Sequence, residues 1–573
     1  MPPFVISAIL ALLPVTFIFT IFEIFGLVVV VPVIQILVNP SVIEESSILN
    51  SLYRAAGSPV QSMFVLYLLG LSVIFFLVKN ALVYWASRKQ TGLVYDTASR
   101  LTQLQFQEYI FQPFEKHVEE NSSIVLRKVI EIPYNFCNGI MLPLVQLSNE
   151  VLVAILITIG ILVYSPVLFL SMALFITPFL VSYVLIYKKR LRKISQEREA
   201  GHSEMFRKGR QSVDGFREIL LFDKFGYFGP LFNAAVKRFS NAMARIYHLN
   251  LFSPKIIETL AILCVFGIFA MGILLDYNIQ TLVTFLATFA IAAYRLIPSV
   301  NKIIYAYNNI RSTEFVFDHF KKSEVSAATL RKVPLPDPQP VFLDKLELSN
   351  VSFSFHDGKE VLTGVNLRVM RGEIIGIMGK SGSGKSTLIN IILGLLPPTR
   401  GSILIDERDL DESLLRAWHR AISFVPQSPT LIEGTVLENV AFGVPIDQVD
   451  HARVEWCVEH SGLTEYVKDL PMGLDSFIGD KNLNISGGQK QRLAIARALY
   501  HKGKFLIFDE ATSSLDRETE DQITESIRAL QREGYTILIV AHRPNALKFC
   551  DKIYTVKDGM IGDPINFNEV YER

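Results

Sequence analysis

Gly379-Lys380-Ser381-Gly382-Ser383-Gly384-Lys385-Ser386 decides the fold of the C-terminal part of this chain. It fills the pattern G-x-x-x-x-G-K-[ST], whose glycines let the backbone turn tightly and aim successive N–H groups at phosphate oxygens. Lys385 brings a point charge to the β- and γ-phosphates, and the Ser386 hydroxyl, with Thr387 beside it, reaches a Mg²⁺ ion bound there. Ile374 to Met378 is a short buried-strand pattern directly before the loop, and 386–395 reads as the helix after it. Strand, loop and helix together are the context the motif requires. About a hundred residues further on stands Ile485-Ser486-Gly487-Gly488-Gln489, a second turn that opens a helix and makes a phosphate nest. One triphosphate does not need two nests from one chain, so the second points to a site on another copy.

The rest of the 573 residues is of a different kind. Half of the chain is apolar and only 19% is charged, with a mean hydropathy of +0.33, too apolar for a soluble enzyme of this length. A net charge of +1 gives none of the global basic character that nucleic acid attracts. Cys137, Cys264, Cys457 and Cys550 are scattered, with neither metal spacing nor a disulfide framework. The excess hydrophobicity lies in the first ~310 residues, in runs long enough to cross roughly 30 Å of hydrocarbon. These runs are 4–38, 62–86, 134–164, 166–187, 252–276 and 279–308. Glu23 interrupts the first, which is too long for a secretory signal. Arg88-Lys89 follows the second span and Lys188-Lys189-Arg190-Leu191-Arg192-Lys193 the fourth, so these ends, and both termini, are expected to be cytoplasmic.

Two connections, 87–133 and 188–250, are charged and much longer than ordinary loops. They read as helical extensions of the spans, reversing near Gln112-Pro113 and between Phe222 and Pro230. Short coupling helices are expected near 114–121 and 223–230. Pro334 to Pro340, with four prolines in seven residues, marks a boundary. The expected division is a transmembrane domain over 1–320, a linker over 321–343 and an α/β nucleotide-binding domain over 344–573.

Phe505-Leu506-Ile507-Phe508-Asp509-Glu510 is an apolar strand ending in two carboxylates. Asp509 sits where a Mg²⁺-organising carboxylate belongs, and Glu510 is the candidate general base or water-positioning group for attack on the γ-phosphate. With the glycine loop and the Ser-Gly-Gly-Gln turn, this strand resembles the Walker A, signature and Walker B motifs of the ABC ATPases. The resemblance implies roles for further residues. Gln427 matches the Q-loop glutamine, which touches Mg²⁺ or the attacking water. Ser513-Ser514-Leu515-Asp516 matches the D-loop, and His542, after the apolar strand from Thr536, matches the switch histidine at the γ-phosphate. Phe355 stands where the family usually has a tyrosine stacked on adenine. Ser486, Gly487, Gly488 and Gln489 would close over nucleotide held by a second subunit. Ile485 in place of the usual leucine, and Asp480-Lys481-Asn482 before the signature, are departures from the pattern.

Taken whole, the chain resembles a half-size ABC exporter of the type IV architecture. That implies a multidomain membrane protein: an all-α six-helix transmembrane domain followed by an α/β ABC-type P-loop domain. It also implies an ATP- and Mg²⁺-dependent homodimer in the cytoplasmic membrane. Cargo is read from basic residues in the spans. Lys79, Lys255 and Arg295 fall at similar depth and form a candidate basic belt for an anionic headgroup, although snorkelling, with Lys255 paired to Glu258, explains the lysines equally well. Ala293 to Asn301 resembles the sixth span of PglK-type flippases, which implies a polyprenyl-pyrophosphate-linked oligosaccharide as the leading cargo. Phe22-Glu23 and Ser148-Asn149-Glu150 are compatible with it, and 47–56 could form a small external helix. The alternatives are export of lipid A, of another amphipathic lipid or of hydrophobic drugs, and, from another class, a regulatory or channel-like ABC protein.

Overall fold

The computed structural model describes residues 47–57, 59–119, 125–164, 166–274, 279–317, 341–342, 344–355, 358, 360–479, 485–510 and 517–571, with scattered helical positions before residue 47. Side chains along parts of the apolar helices, and much of the first expected span, lie outside that description. The chain divides into two compact units, Met1–Gln112 with Glu120–Arg331 and Pro113–Glu119 with Lys332–Arg573.

The first unit is helical. Its described helices are α1 (Ser47–Ala55), α2 (Gln61–Phe111), α4 (Ile132–Phe136), α5 (Leu142–Tyr164), α6 (Pro166–Asp214), α7 (Phe216–Leu221), α8 (Phe225–Leu274) and α9 (Ile279–Ser312), and α3 (Phe114–Glu119) belongs to the second unit. Two π-helical turns, Arg127–Glu131 and Cys137–Met141, flank α4 and join it to α5. Among the described residues, three helical stretches are long and apolar enough to cross a membrane: Ser62–Phe111, Arg127–Gly160 and Phe225–Gly267. Helices also cover the fourth and sixth expected spans. With 51, 49 and 50 residues, α2, α6 and α8 are each about 75 Å long, more than twice a bilayer's hydrocarbon. The long connections are therefore continuations of the spans. Charged pairs between helices line the extensions, Arg245 with Glu197 at 2.7 Å and Arg238 with Glu204 at 3.2 Å.

The reversals have local causes. Pro113 forces Gln112 into an extended conformation, φ −69° and ψ 155°, which ends α2. The second reversal falls at the start of the expected stretch from Phe222 to Pro230, but the helix beside it is placed differently. Residues 223–230 do not form a separate coupling helix: α7 precedes the turn, and Pro230 is carried inside α8. Asp223 makes the turn with φ 51°. Its N–H donates to Leu220 O at 3.2 Å and that of Lys224 to Ile219 O at 2.9 Å, the paired bonds that close a helix through a left-handed residue. The proline was the wrong marker; an aspartate that tolerates left-handed backbone was the right one.

In this unit Arg127 reaches Glu199 at 2.6 Å and Glu131 at 3.4 Å. Arg198 donates to Ser312 O at 2.7 Å, a cation on the last carbonyls of α9. His202 packs between Phe206 and Phe239, ring centroids 4.9 and 5.1 Å away. Burial pushes its imidazole below the usual histidine range, with Arg127 and Arg198 adding to the effect and Glu131 and Glu199 opposing it. A depressed histidine binds its proton more readily in the unfolded chain, so its contribution is full above the ordinary value of 6.5 and is lost as pH falls below it. The unfolding temperature of the detergent-solubilised protein should drop between about pH 7.5 and about pH 5.5, and less steeply in His202→Gln. An equal slope in both proteins would rule out this histidine as the cause.

The second unit is the α/β domain. A six-stranded sheet has the order β12-β11-β3-β10-β9-β6 (Met560–Ile561, Lys552–Lys557, Ile374–Gly379, Thr536–Ala541, Phe505–Asp509, Ile422–Val425), parallel from β11 to β6. An antiparallel sheet of β1 (Lys345–Ser354), β2 (Glu360–Met370), β4 (Arg400–Ile405) and β5 (Arg408–Asp409) lies in the order β2-β1-β4-β5. A short ribbon pairs β7 (Gly434–Thr435) with β8 (Phe477–Ile478). The helices are α10 (Lys385–Ile392), α11 (Glu412–Ala421), α12 (Val436–Val440), α13 (His451–His460), α14 (Thr464–Asp469), α15 (Gly487–Tyr500) and α16 (Arg517–Arg532). Apart from Thr536 and Asp509 at their ends, β3, β9 and β10 are apolar because both faces are covered. Alternate side chains serve different cores: Ile374, Leu506, Phe508, Ile537 and Ile539 join one, and Ile375, Ile377, Phe505, Ile507, Leu538 and Val540 the other. Phe114 of α3 packs against this second core.

Candidate active site

Strand register brings the motifs together. Met378 lies opposite Ala541, Asp509 opposite Val540, and Val425 opposite Phe508. The glycine loop, Glu510, His542 and Gln427 therefore all leave the same edge of four adjacent strands, the carboxyl ends where α/β sheets bind ligands.

The loop's shape follows from its glycines. Gly384 caps α10 at φ 105°, and a Cβ there would meet Leu362 Cδ2 at 2.8 Å and Val361 O at 3.1 Å. A Cβ on Gly379 would collide with Val556 O. Only glycine fits either position. Lys380, Ser381 and Gly382 are exposed at the loop's tip, as is Ser386 on the helix behind it, and Thr387 is half-buried. Lys385 is only 5% exposed and folds back to donate to the Gly379 and Lys380 carbonyls, both at 2.9 Å. Burial pushes its ammonium below the usual lysine range, against the pull of Glu510 and Asp509. Burial, helped by Glu510 and opposed by Lys385, pushes the Asp509 carboxyl above its usual range.

Glu510 is held from two sides. Gln427 Nε2 donates to its Oε2 at 2.7 Å, and His542 Nε2 lies 2.6 Å from its Oε1. Its backbone is left-handed, φ 49°, and its N–H donates to Val540 O at 3.0 Å. The sequence separates these three side chains by up to 115 positions, from Gln427 to His542; the sheet places them within hydrogen-bond reach.

The residues present fit Mg²⁺ and a triphosphate. The first turn of α10 leaves backbone N–H groups without helical acceptors, and among the described residues Ser383 Oγ is buried with no partner. Hard oxygen donors suited to Mg²⁺ stand at Ser386, Asp509 and Gln427.

The second nest is separate and open. Ser486 caps α15: its Oγ accepts from the Gln489 N–H at 3.1 Å, and Gln489 Oε1 accepts from the Ser486 N–H at 2.8 Å. Ser486 and Gly487 are exposed, with Gly488 and Gln489 half-buried. The Phe355 ring packs edge-on against Phe353, centroids 4.9 Å apart, and adjoins the second core. Ser513, Asp516 and residues 480–484 lie outside the described residues.

Two members of the candidate belt have local partners. Lys255 Nζ pairs with Glu258 at 2.9 Å, as the snorkelling alternative has it, and Lys79 Nζ lies 5.3 Å above the Phe76 ring. The Arg295 side chain is outside the described residues. The sequence reading missed an ion pair with one buried partner, Lys302 Nζ to Glu150 Oε1 at 2.6 Å, because the two residues lie on different helices far apart in sequence. It also missed Gln491 and Arg497 on α15, whose partners are backbone carbonyls that no motif names.

Residues 15–294 match the ABC transporter transmembrane region and residues 362–513 the ABC transporter domain. The ATP-dependent lipid A-core flippase of Cupriavidus metallidurans is 32% identical over 74% of this chain and 71% of its own. That of Ralstonia nicotianae is 31% identical over 76% and 73%. ABC transporter B family member 29, chloroplastic, of Arabidopsis thaliana is 32% identical over 54% of this chain and 48% of its own. A bacterial Atm1-family ABC exporter solved with ATP bound has the same fold, with a TM-score of 0.70 at 20% identity over 99% of this chain and 96% of that one. The order of one transmembrane region and one ATPase domain, on an edge that gathers Lys385, Asp509, Glu510 and His542, has a single consequence. The chain belongs to the ABC transporter family, as a half-size exporter whose ATP hydrolysis with Mg²⁺ is coupled to transport.

Proposed function

We propose that this exporter works as a homodimer in the bacterial inner membrane and flips an anionic amphipathic lipid of the lipid A class from the cytoplasmic to the outer leaflet. The observation that carries the cargo is the likeness, over most of both chains, to proteins named lipid A-core flippases. The open nest at Ser486 and Gly487 supports the dimer, since it offers N–H groups and a helix N-terminus that its own loop does not need. So do Leu221, Phe222 and Phe225, large apolar side chains exposed at the tip of the second cytoplasmic hairpin, which suit the ATPase domain of a second copy.

Within each site Lys385 and the loop from Gly379 to Thr387 take the phosphates, and Ser386, Asp509 and Gln427 hold Mg²⁺. Glu510 accepts the proton of the attacking water, His542 contacts the γ-phosphate, and Phe355 stacks on the base. The D-loop, with Ser513 and Asp516, communicates between the subunits. The hydrogen bond from Gln427 and the close approach of His542 hold Glu510 from two sides, so the three side chains converge on one point. Hydrolysis then separates the subunits again, and α3, seated on the second core, carries the movement.

A second reading keeps the oligosaccharide cargo, favoured by the likeness of Ala293 to Asn301 to the sixth span of PglK-type flippases. Both cargoes are anionic, so residual basic side chains such as Lys79 serve either. Reconstituted protein with a lipid A-core probe and, separately, a polyprenyl-pyrophosphate oligosaccharide distinguishes them. ATP-dependent movement of the first alone is the expected result. Movement of the second alone would reverse the assignment.

A further inference from the structure

The Q-loop hangs on the helix that carries the second phosphate nest. Gln491 stands one turn into α15 and is 1% exposed, in a row otherwise filled by Leu493, Ala494, Ile495 and Ala496. A buried amide is costly unless it is bonded. Gln491 spends its Nε2–H on the carbonyl of Pro426 at 3.2 Å, the residue directly before Gln427. Pro426 has a fixed φ and no N–H, so its carbonyl is the handle by which this peptide is gripped.

The other end of the loop is held from the same helix. Arg497 donates to Thr430 O at 2.9 Å, to Asn439 O at 2.9 Å and to Asn439 Oδ1 at 3.1 Å. Asn439, fully buried, in turn binds Ile432 through both its N–H and its carbonyl at 3.0 Å. The segment from Pro426 to Ile432 is thus clamped at both ends by side chains of α15 and their immediate partner. The same helix begins in the Ser486–Gln489 capping box.

We propose that Gln491, with Arg497 behind it, is a positioning residue: it fixes the Q-loop to the signature helix so that Gln427 stays aimed at Glu510. A displacement of the Ser486 nest then moves Pro426 and Gln427 with it. The inference rests on the reading of Gln427 as part of the hydrolytic site. It adds that the nest and the Q-loop of one chain move as a piece.

Gln491→Met keeps length and apolar volume and removes the donor. One lost hydrogen bond of this kind corresponds to a roughly five- to tenfold fall in kcat, with KM for ATP within about twofold because the phosphate loop is untouched. The decisive measurement is the cycle with Gln427→Ala. If Gln491 acts through Gln427, the double variant is no slower than Gln427→Ala alone. A merely structural role multiplies the two losses, and that result, or a normal rate in Gln491→Met beside a slow Gln427→Ala, overturns the proposal. A normal rate in Gln427→Ala instead removes the role of the Q-loop glutamine itself. Where Gln491→Met folds poorly, Arg497→Lys gives the same cycle, since it keeps the charge and loses the fork that spans Thr430 and Asn439.

Discussion

Glu510→Gln is expected to lower kcat for ATP by roughly 100-fold or more, the usual contribution of a positioned base, while ATP affinity changes by less than about twofold. The amide has the volume of the carboxylate and tolerates the same left-handed backbone, φ 49°. It also keeps an oxygen to accept from Gln427 and a position opposite His542. What it loses is the capacity to take a proton from water. The phosphate contacts proposed for Lys385 and the loop from Gly379 to Thr387 belong to other elements, so binding is expected to persist. Steady-state hydrolysis beside equilibrium binding of a labelled nucleotide checks both halves. A residual rate above about a tenth of the parent would mean that another group takes the proton. A matching loss of affinity would mean that Glu510 organises the phosphate loop instead.

The motor was legible because its chemistry is written in short, local words. A strand of Ile374 to Met378 ahead of a glycine loop, or Phe505 to Phe508 ahead of two acids, states both an element and its function. The parallel sheet then adds only the register that makes the words adjacent. Contacts between a side chain and a distant carbonyl have no such signature. Gln491 lies 65 positions from Pro426 in sequence, and nothing in either neighbourhood names the other. The second coupling helix was misplaced for a related reason. Proline is a loud marker, but Pro230 is accommodated inside α8, and the chain turns where Asp223 can go left-handed. In the spans, the pairing of Lys255 with Glu258 was legible because the two lie one helical turn apart. The pair that encloses its carboxylate, Glu150 with Lys302, joins residues 152 positions apart. Cargo remains the least legible quantity, since an amphipathic lipid is recognised by a cavity's overall charge and width more than by a motif.

Lys302→Met should destabilise the transmembrane unit by about 2 kcal/mol, below the 3–5 kcal/mol typical of breaking a fully buried pair because Lys302 is partly solvated. Glu150 is 1% exposed on α5, and Lys302 on α9 is 43% exposed at its side chain. Their 2.6 Å contact is therefore a bond between two helices in which only one partner can also turn to water. Removing the ammonium leaves the carboxylate enclosed without it, while methionine roughly keeps the stem's packing, so the loss is electrostatic rather than a cavity. Replacing both partners, Glu150→Gln with Lys302→Met, takes away the enclosed negative charge as well and should recover most of the stability. Thermal unfolding in detergent, followed for the parent, the single and the double variant, reads the difference. A double variant no more stable than Lys302→Met would assign the effect to lost packing. A single variant as stable as the parent would show that Glu150 draws its compensation from elsewhere in the bundle.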